Sequence, residues 1–191
     1  MQWFLLLFLI PSVAFGAVGE IGKVKGSGAI ERGNDSIAAV DGVGIKMEDT
    51  AVTANGKIQI DFLDDTRVDI TEHSRLFIDE FVYDPANDVG SLSIKATLGT
   101  VRYASGQIAK KYQQNVKIAT PSATIAVRGT DFIMVVDELG GSMITLLPSC
   151  DEDMVCYTGE IEVETDAGFV ILNQAFQATQ TTHNMRPPGK P

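Results

Sequence analysis

The chain carries few side chains that could do covalent or metal chemistry. It has two His, His73 and His183, and two Cys, Cys150 and Cys156. His73 sits in the turn-like stretch Thr71-Glu72-His73-Ser74, where a solvated or capping role is expected, and His183 falls in a polar tail. A Ser-His-Asp arrangement would have to use His73, and no G-x-S-x-G, H-E-x-x-H or G-x-x-x-x-G-K-[ST] pattern occurs. Gly22, Gly26 and Gly28 fit no dinucleotide spacing and read as turns or bulges. No catalytic residue, cofactor or metal site is expected.

Carboxylates gather at Asp61, Asp64, Asp65 and Asp69, and again in Asp84-Pro85-Ala86-Asn87-Asp88. Calcium takes several oxygen ligands, so both places are formal candidates. The simpler reading makes Asp64-Asp65 a hairpin turn, with Asp61 and Asp69 as outward positions of its strands. The second run lacks EF-hand spacing. Cys150 and Cys156 enclose Asp151-Glu152-Asp153-Met154-Val155. In an oxidising compartment that spacing reads as a structural disulfide pinning an acidic loop.

The compartment is read from the other end of the chain. Met1–Gly16, MQWFLLLFLIPSVAFG, is uncharged, apolar from Trp3 to Ile10, and ends with small residues ahead of a cut after Gly16. This is the pattern of a secretory signal peptide, too short to span a bilayer. No Cys follows it for lipid attachment. The expected mature protein is periplasmic or secreted, starts at Ala17, has no transmembrane anchor and loses the only Trp.

Of 191 residues, 45% are hydrophobic and 21% charged, which excludes whole-chain disorder. Acidic residues outnumber basic ones 25 to 15, for a net charge of −10 and a pI near 4.6. No basic patch is visible along the chain, so nucleic acid is not an expected partner.

The elements that must carry these residues read as strands. Lys57–Phe62, Arg67–Ile70, Ser91–Ala96 and Glu160–Glu164 alternate polar and apolar, the signature of a half-buried strand. Turn residues cut them at Asn55-Gly56, Asp64-Asp65, Asp84-Pro85, Gly140-Gly141 and Asp166-Ala167-Gly168. One short helix is expected around Ile108–Gln114. The class is all-β; a sandwich, a barrel and a short β-solenoid all satisfy the spacing. One domain is expected over 17–180, with a disordered tail over 181–191.

The stretch Thr120-Pro121-Ser122-Ala123-Thr124-Ile125-Ala126-Val127-Arg128-Gly129-Thr130-Asp131-Phe132 resembles the T-P-x-A-x-I-x-V-R-G-T-D/E-F pattern of the FecR domain family. Upstream pieces agree. Asp49-Thr50 with Thr53 and Asn55-Gly56 is similar to the family's first step. Phe62-Leu63-Asp64-Asp65-Thr66 is similar to its F-x-D-G-[ST] turn, with Asp65 where Gly is usual. Ser74-Arg75-Leu76 and Gly99-Thr100-Val101-Arg102 match the later steps. The resemblance runs from about Asp41 to Val136.

It implies a β-solenoid-like stack of short strands in which Thr120, Pro121, Ala123, Ile125, Arg128, Gly129, Thr130, Asp131 and Phe132 are structural. In iron-uptake regulators such a domain relays a receptor signal in the periplasm. No cytoplasmic anti-sigma segment is expected ahead of the apolar stretch, and no βαβ subdomain after the FecR-like part. The expectation is therefore an exported, non-enzymatic module that binds a protein or envelope component. The alternative is a periplasmic signal-transduction component. Arg128, ahead of Gly129, is expected to be a partly buried hub donating to Asp131 or to backbone carbonyls, because an isolated buried charge is costly.

Overall fold

A computed structural model describes residues 16–150, 153–182 and 188–189. The expected leader, Gly16 apart, lies outside the described residues, as does His183. In chain order the elements are β1 (Gly19–Arg32), β2 (Asp35–Ala38), β3 (Gly44–Ile45), β4 (Thr50–Phe62), β5 (Arg67–Ile70), β6 (Arg75–Asp84), β7 (Val89–Ala104), α1 (Gln107–Lys111), β8 (Val116–Ala119), β9 (Thr124–Arg128), β10 (Asp131–Val136), β11 (Ser142–Leu147), β12 (Ser149–Cys150), β13 (Cys156–Tyr157), β14 (Glu160–Thr165), β15 (Gly168–Leu172) and β16 (Ala178–Thr181). The chain is all-β.

Each alternating segment becomes a strand with one face buried. In β4, Ile58, Ile60 and Phe62 point inward while Lys57 and Gln59 point outward. Asn55-Gly56 does not interrupt β4, although the sequence places a turn there. β1 runs across it at Gly26, and a Cβ on Gly56 would stand 2.6 Å from Ser27 N, so the glycine serves a close backbone crossing. The short helix falls at Gln107–Lys111, at the start of the expected range.

While β12 and β13 form a separate two-stranded sheet, the other fourteen strands build one sheet whose main path is β15-β14-β9-β8-β7-β5-β4-β1-β2. Part of it closes on itself. β4 pairs with β6 through Thr50–Val52 and with β5 through Ile58–Asp61. β7 pairs with β6 along its first part and with β5 through Val101–Ala104. The four strands thus form a small closed barrel around Ile58, Ile60, Val68, Ile70, Leu76 and Ile94. β7 turns the corner at Gly99, whose φ is +88° and where a Cβ would lie 2.2 Å from Ser74 Oγ; only glycine fits that bend.

Among the pairings of the described residues, β7 with β8 alone is parallel. Tight turns send the chain back antiparallel, as at Asp64-Asp65, where Asp65 takes φ 67°. Asp tolerates this left-handed conformation, which accounts for Asp65 standing where the pattern it resembles usually has Gly. A solenoid needs successive coils stacked in parallel, and these pairings do not make one. The barrel alternative fits them. At the other end, the boundary drawn at Thr181 falls on the last residue of β16, and Gly189 N donates to Gln180 O at 3.1 Å.

Candidate functional site

The stretch with the strongest sequence pattern folds as a hairpin of β8 and β9 followed by β10. Thr120 and Ala123 close the connecting turn: Thr120 N donates to Ala123 O at 2.8 Å, and Ala123 N to Thr120 Oγ1 at 3.1 Å. Pro121 and Ser122 form its tip. Ser122 Oγ meets Ser142 Oγ at 3.0 Å and Thr181 Oγ1 at 2.8 Å, tying the tip to β11 and β16. Ala123, Ile125 and Val127 enter the core. Gly129 then turns the chain at φ 63°, Thr130 Oγ1 donates to Leu147 O at 3.2 Å, and Phe132 stacks on Tyr103 with ring centroids 5.3 Å apart.

Arg128 differs from expectation in its partners. Its side chain is 38% exposed, and its guanidinium pairs with Glu160 at 2.6 Å and Glu162 at 3.7 Å, both on β14. The register sets this, because Arg128 faces Glu160 across β9 and β14. Asp131, three residues on, accepts instead from Ser149 Oγ at 2.7 Å and Ser105 N at 3.3 Å, with Arg102 at 3.5 Å. The arginine with a fully buried partner is Arg32. It holds Asp49 through Nε and Nη2, both at 2.7 Å, and also donates to Gly44 O at 2.8 Å.

The acidic cluster separates by burial. Asp61 pairs with Arg67 at 2.8 Å and Asp69 with Lys57 at 3.8 Å on the outer face. Asp64 is fully buried and accepts from Thr66 N, Thr66 Oγ1 and Ile108 N, so it joins the β4–β5 turn to the start of α1. Asp84 caps its own turn through Asn87 and Ala86. Among the described residues no group of three or more His, Cys, Asp or Glu gathers as a metal site would require. His73 takes φ 52° in its turn, with its N–H donating to Ala54 O.

Cys150 and Cys156 form a disulfide joining β12 to β13. Burial pushes the Tyr103 hydroxyl's pKa well up. That hydroxyl lies close to Thr66 and Ser105 yet makes no hydrogen bond of good geometry.

What this fold offers a partner is strand surface. β15 ends the sheet path and pairs with β14 alone among the described residues. Its sequence, Gly-Phe-Val-Ile-Leu, has none of the charges or prolines that blunt edges. Phe169 is 63% and Ile171 38% exposed. The loop from β14 has two residues, Asp166-Ala167, so Thr165 and Gly168 close it as a hydrogen-bonded pair. Pairs then alternate, which turns the backbone groups of Phe169 and Ile171 away from β14 toward the open edge. The opposite end, β2, is four residues long and begins with Asp35. A second outer surface gathers Lys23, Lys25, Lys57, Arg67 and Arg102. Lys23 and Lys25 alternate with Val24 on one strand, but Lys57, Arg67 and Arg102 are scattered in sequence, and only the strand register unites the five.

A model of the family described as FecR protein matches residues 49–148, just over half the chain. No curated protein matches the chain in sequence. Among solved structures, two crystal structures of a candidate anti-sigma factor from Parabacteroides distasonis ATCC 8503, at 1.65 and 2.50 Å resolution, share its fold. Each gives a TM-score of 0.50 at 12% identity, covering 70% of this chain and 54% of the other. The chain spans about half the length of those proteins.

Proposed function

Because the chain belongs to the FecR family, we propose that it is an extracytoplasmic, non-catalytic module that binds a partner protein as one component of a FecR-type signalling assembly. The observation that carries this reading is the open edge of β15. An extended segment of a partner adds there as a further strand, its main chain pairing with Phe169 and Ile171 and its side chains packing against theirs. The disulfide and the apolar leader support an oxidising compartment outside the cytoplasm. Signalling is favoured over passive scaffolding by the family and by the anti-sigma description of the structural relatives.

The test is a photo-crosslinking residue at Phe169, with a second at the exposed Leu139 turn as control. A single protein captured from Phe169 and absent from Leu139 supports the reading. Identical capture from both positions, or none from Phe169, contradicts it.

A further inference from the structure

The cationic outer surface has an arrangement that stability alone does not account for. Lys25 on β1 lies directly opposite Lys57 on β4 in the strand register. Like charges facing each other across two strands destabilise a sheet. Neither lysine is fully neutralised. Lys57 reaches Asp69 only at 3.8 Å, and Lys23 and Lys25 have no carboxylate partner among the described residues.

The sheet builds this face deliberately. A bulge between Ile21 and Lys23 shifts the phase of β1 so that Lys23 and Lys25 both point outward while Val24 turns in. Gly22 leaves the space that the Asp61 carboxylate fills; a Cβ there would stand 1.8 Å from Asp61 Oδ2. Asp61 in turn orients Arg67. On β7, Arg102 lies opposite Asp69 and is shared with Asp131. Together these side chains line a depression of about 280 Å³ with Gln59 and Asp69 among them. Five cations against three carboxylates, Asp61, Asp69 and the Asp131 that Arg102 also reaches, leave a local positive excess on a molecule whose net charge is −10.

We propose that this depression binds a multivalent phosphoanion, a molecule carrying two or more phosphate groups, with its first phosphate bridging Lys25 and Lys57. The cations span β1, β4, β5 and β7, four neighbouring strands or ~14 Å, which is wider than one phosphate reaches. Lysines bind phosphate as point charges from many directions, and the two arginines add forked donors. A bound phosphate replaces the Lys25–Lys57 repulsion with two attractions. The phosphates come from a soluble polyphosphate or from a lipid headgroup.

The experiment titrates the full exported chain with tripolyphosphate at low salt. In parallel it floats the chain with phosphatidylcholine vesicles made with and without cardiolipin. Saturable binding that raises the wild-type Tm is expected in at least one arm: tripolyphosphate alone marks a soluble source, and cardiolipin vesicles alone mark a headgroup. The double variant Lys25→Gln/Lys57→Gln should bind at least about tenfold more weakly, about 1.4 kcal/mol, yet melt higher than wild type without anion, because the facing charges are gone. Lys111→Gln, on α1, should bind like wild type. Absence of saturable binding in both arms overturns the proposal. So does undiminished binding by the double variant, or equal weakening by Lys111→Gln.

Discussion

Asp49 and Arg128 sit in two arginine–carboxylate contacts that differ in the burial of the carboxylate. Asp49 is buried and held by two arginine nitrogens, with Lys46 N as a further donor at 2.8 Å, whereas Arg128 is 38% exposed. Asp49→Ala takes the buried acceptor away from Lys46 N and from the Arg32 side chain, which is 30% exposed, and should cost about 2 kcal/mol, while Arg128→Ala removes a solvent-screened pair and should cost at most about 1 kcal/mol; urea unfolding of both variants checks the order. Tyr103→Phe deletes a buried hydroxyl without a partner, so stability should hold or rise by about 1 kcal/mol in the same assay, and a clear loss would reveal a hydrogen bond there. Sequence brought Asp49, Asp64 and Arg128 into view through short motifs. It read Arg128 as partly buried but gave no sign that Asp49 and Asp64 are fully enclosed. Asp64 is enclosed because α1, more than forty residues on, closes over it, and Arg128 finds Glu160 through the β9–β14 register. Local spacing pointed to Asp131 and holds no information about that pairing.

At the scale of elements, the period-two segments were legible because each strand has one dry face. The pairings among them were not, since turns such as Asp64-Asp65 fix only neighbours, while the contacts of β7 with β5, β6, β8 and β10 depend on bends like that at Gly99. The Cys150–Cys156 pairing was readable because only one pairing is possible. It closes a short loop beside the sheet, so replacing both cysteines by Ser should cost about 2 kcal/mol or less by the loop-entropy account. Thermal melts with and without reductant should agree with that variant. At β15, Ile171→Pro removes an N–H that points to the open edge rather than to β14, so the sheet should tolerate it.

Across the whole molecule, charge is the property that composition reports and topology redistributes. A net charge of −10 gave no hint of a cationic face, because cations separated in sequence meet only after the strands align. Acid exposes the opposite side of the balance. Hydrogen bonds from Lys95, Asn87 and Lys111 respectively hold the Asp79, Asp84 and Asp88 carboxyls below their usual 3.8. A carboxylate depressed in the folded state adds stability above its unfolded pKa and loses it as pH falls through the folded value. The Tm should therefore be level near neutrality and fall below about pH 4, a profile that calorimetry across pH would reveal. A Tm rising into that range would contradict it. The central claim is that the edge of β15 receives a partner strand, and a quantitative pull-down comparing wild type with Ile171→Pro tests it most directly. The account predicts that the partner crosslinked from Phe169 is lost while the variant's melting curve stays close to wild type. Undiminished capture by a folded Ile171→Pro variant would contradict it.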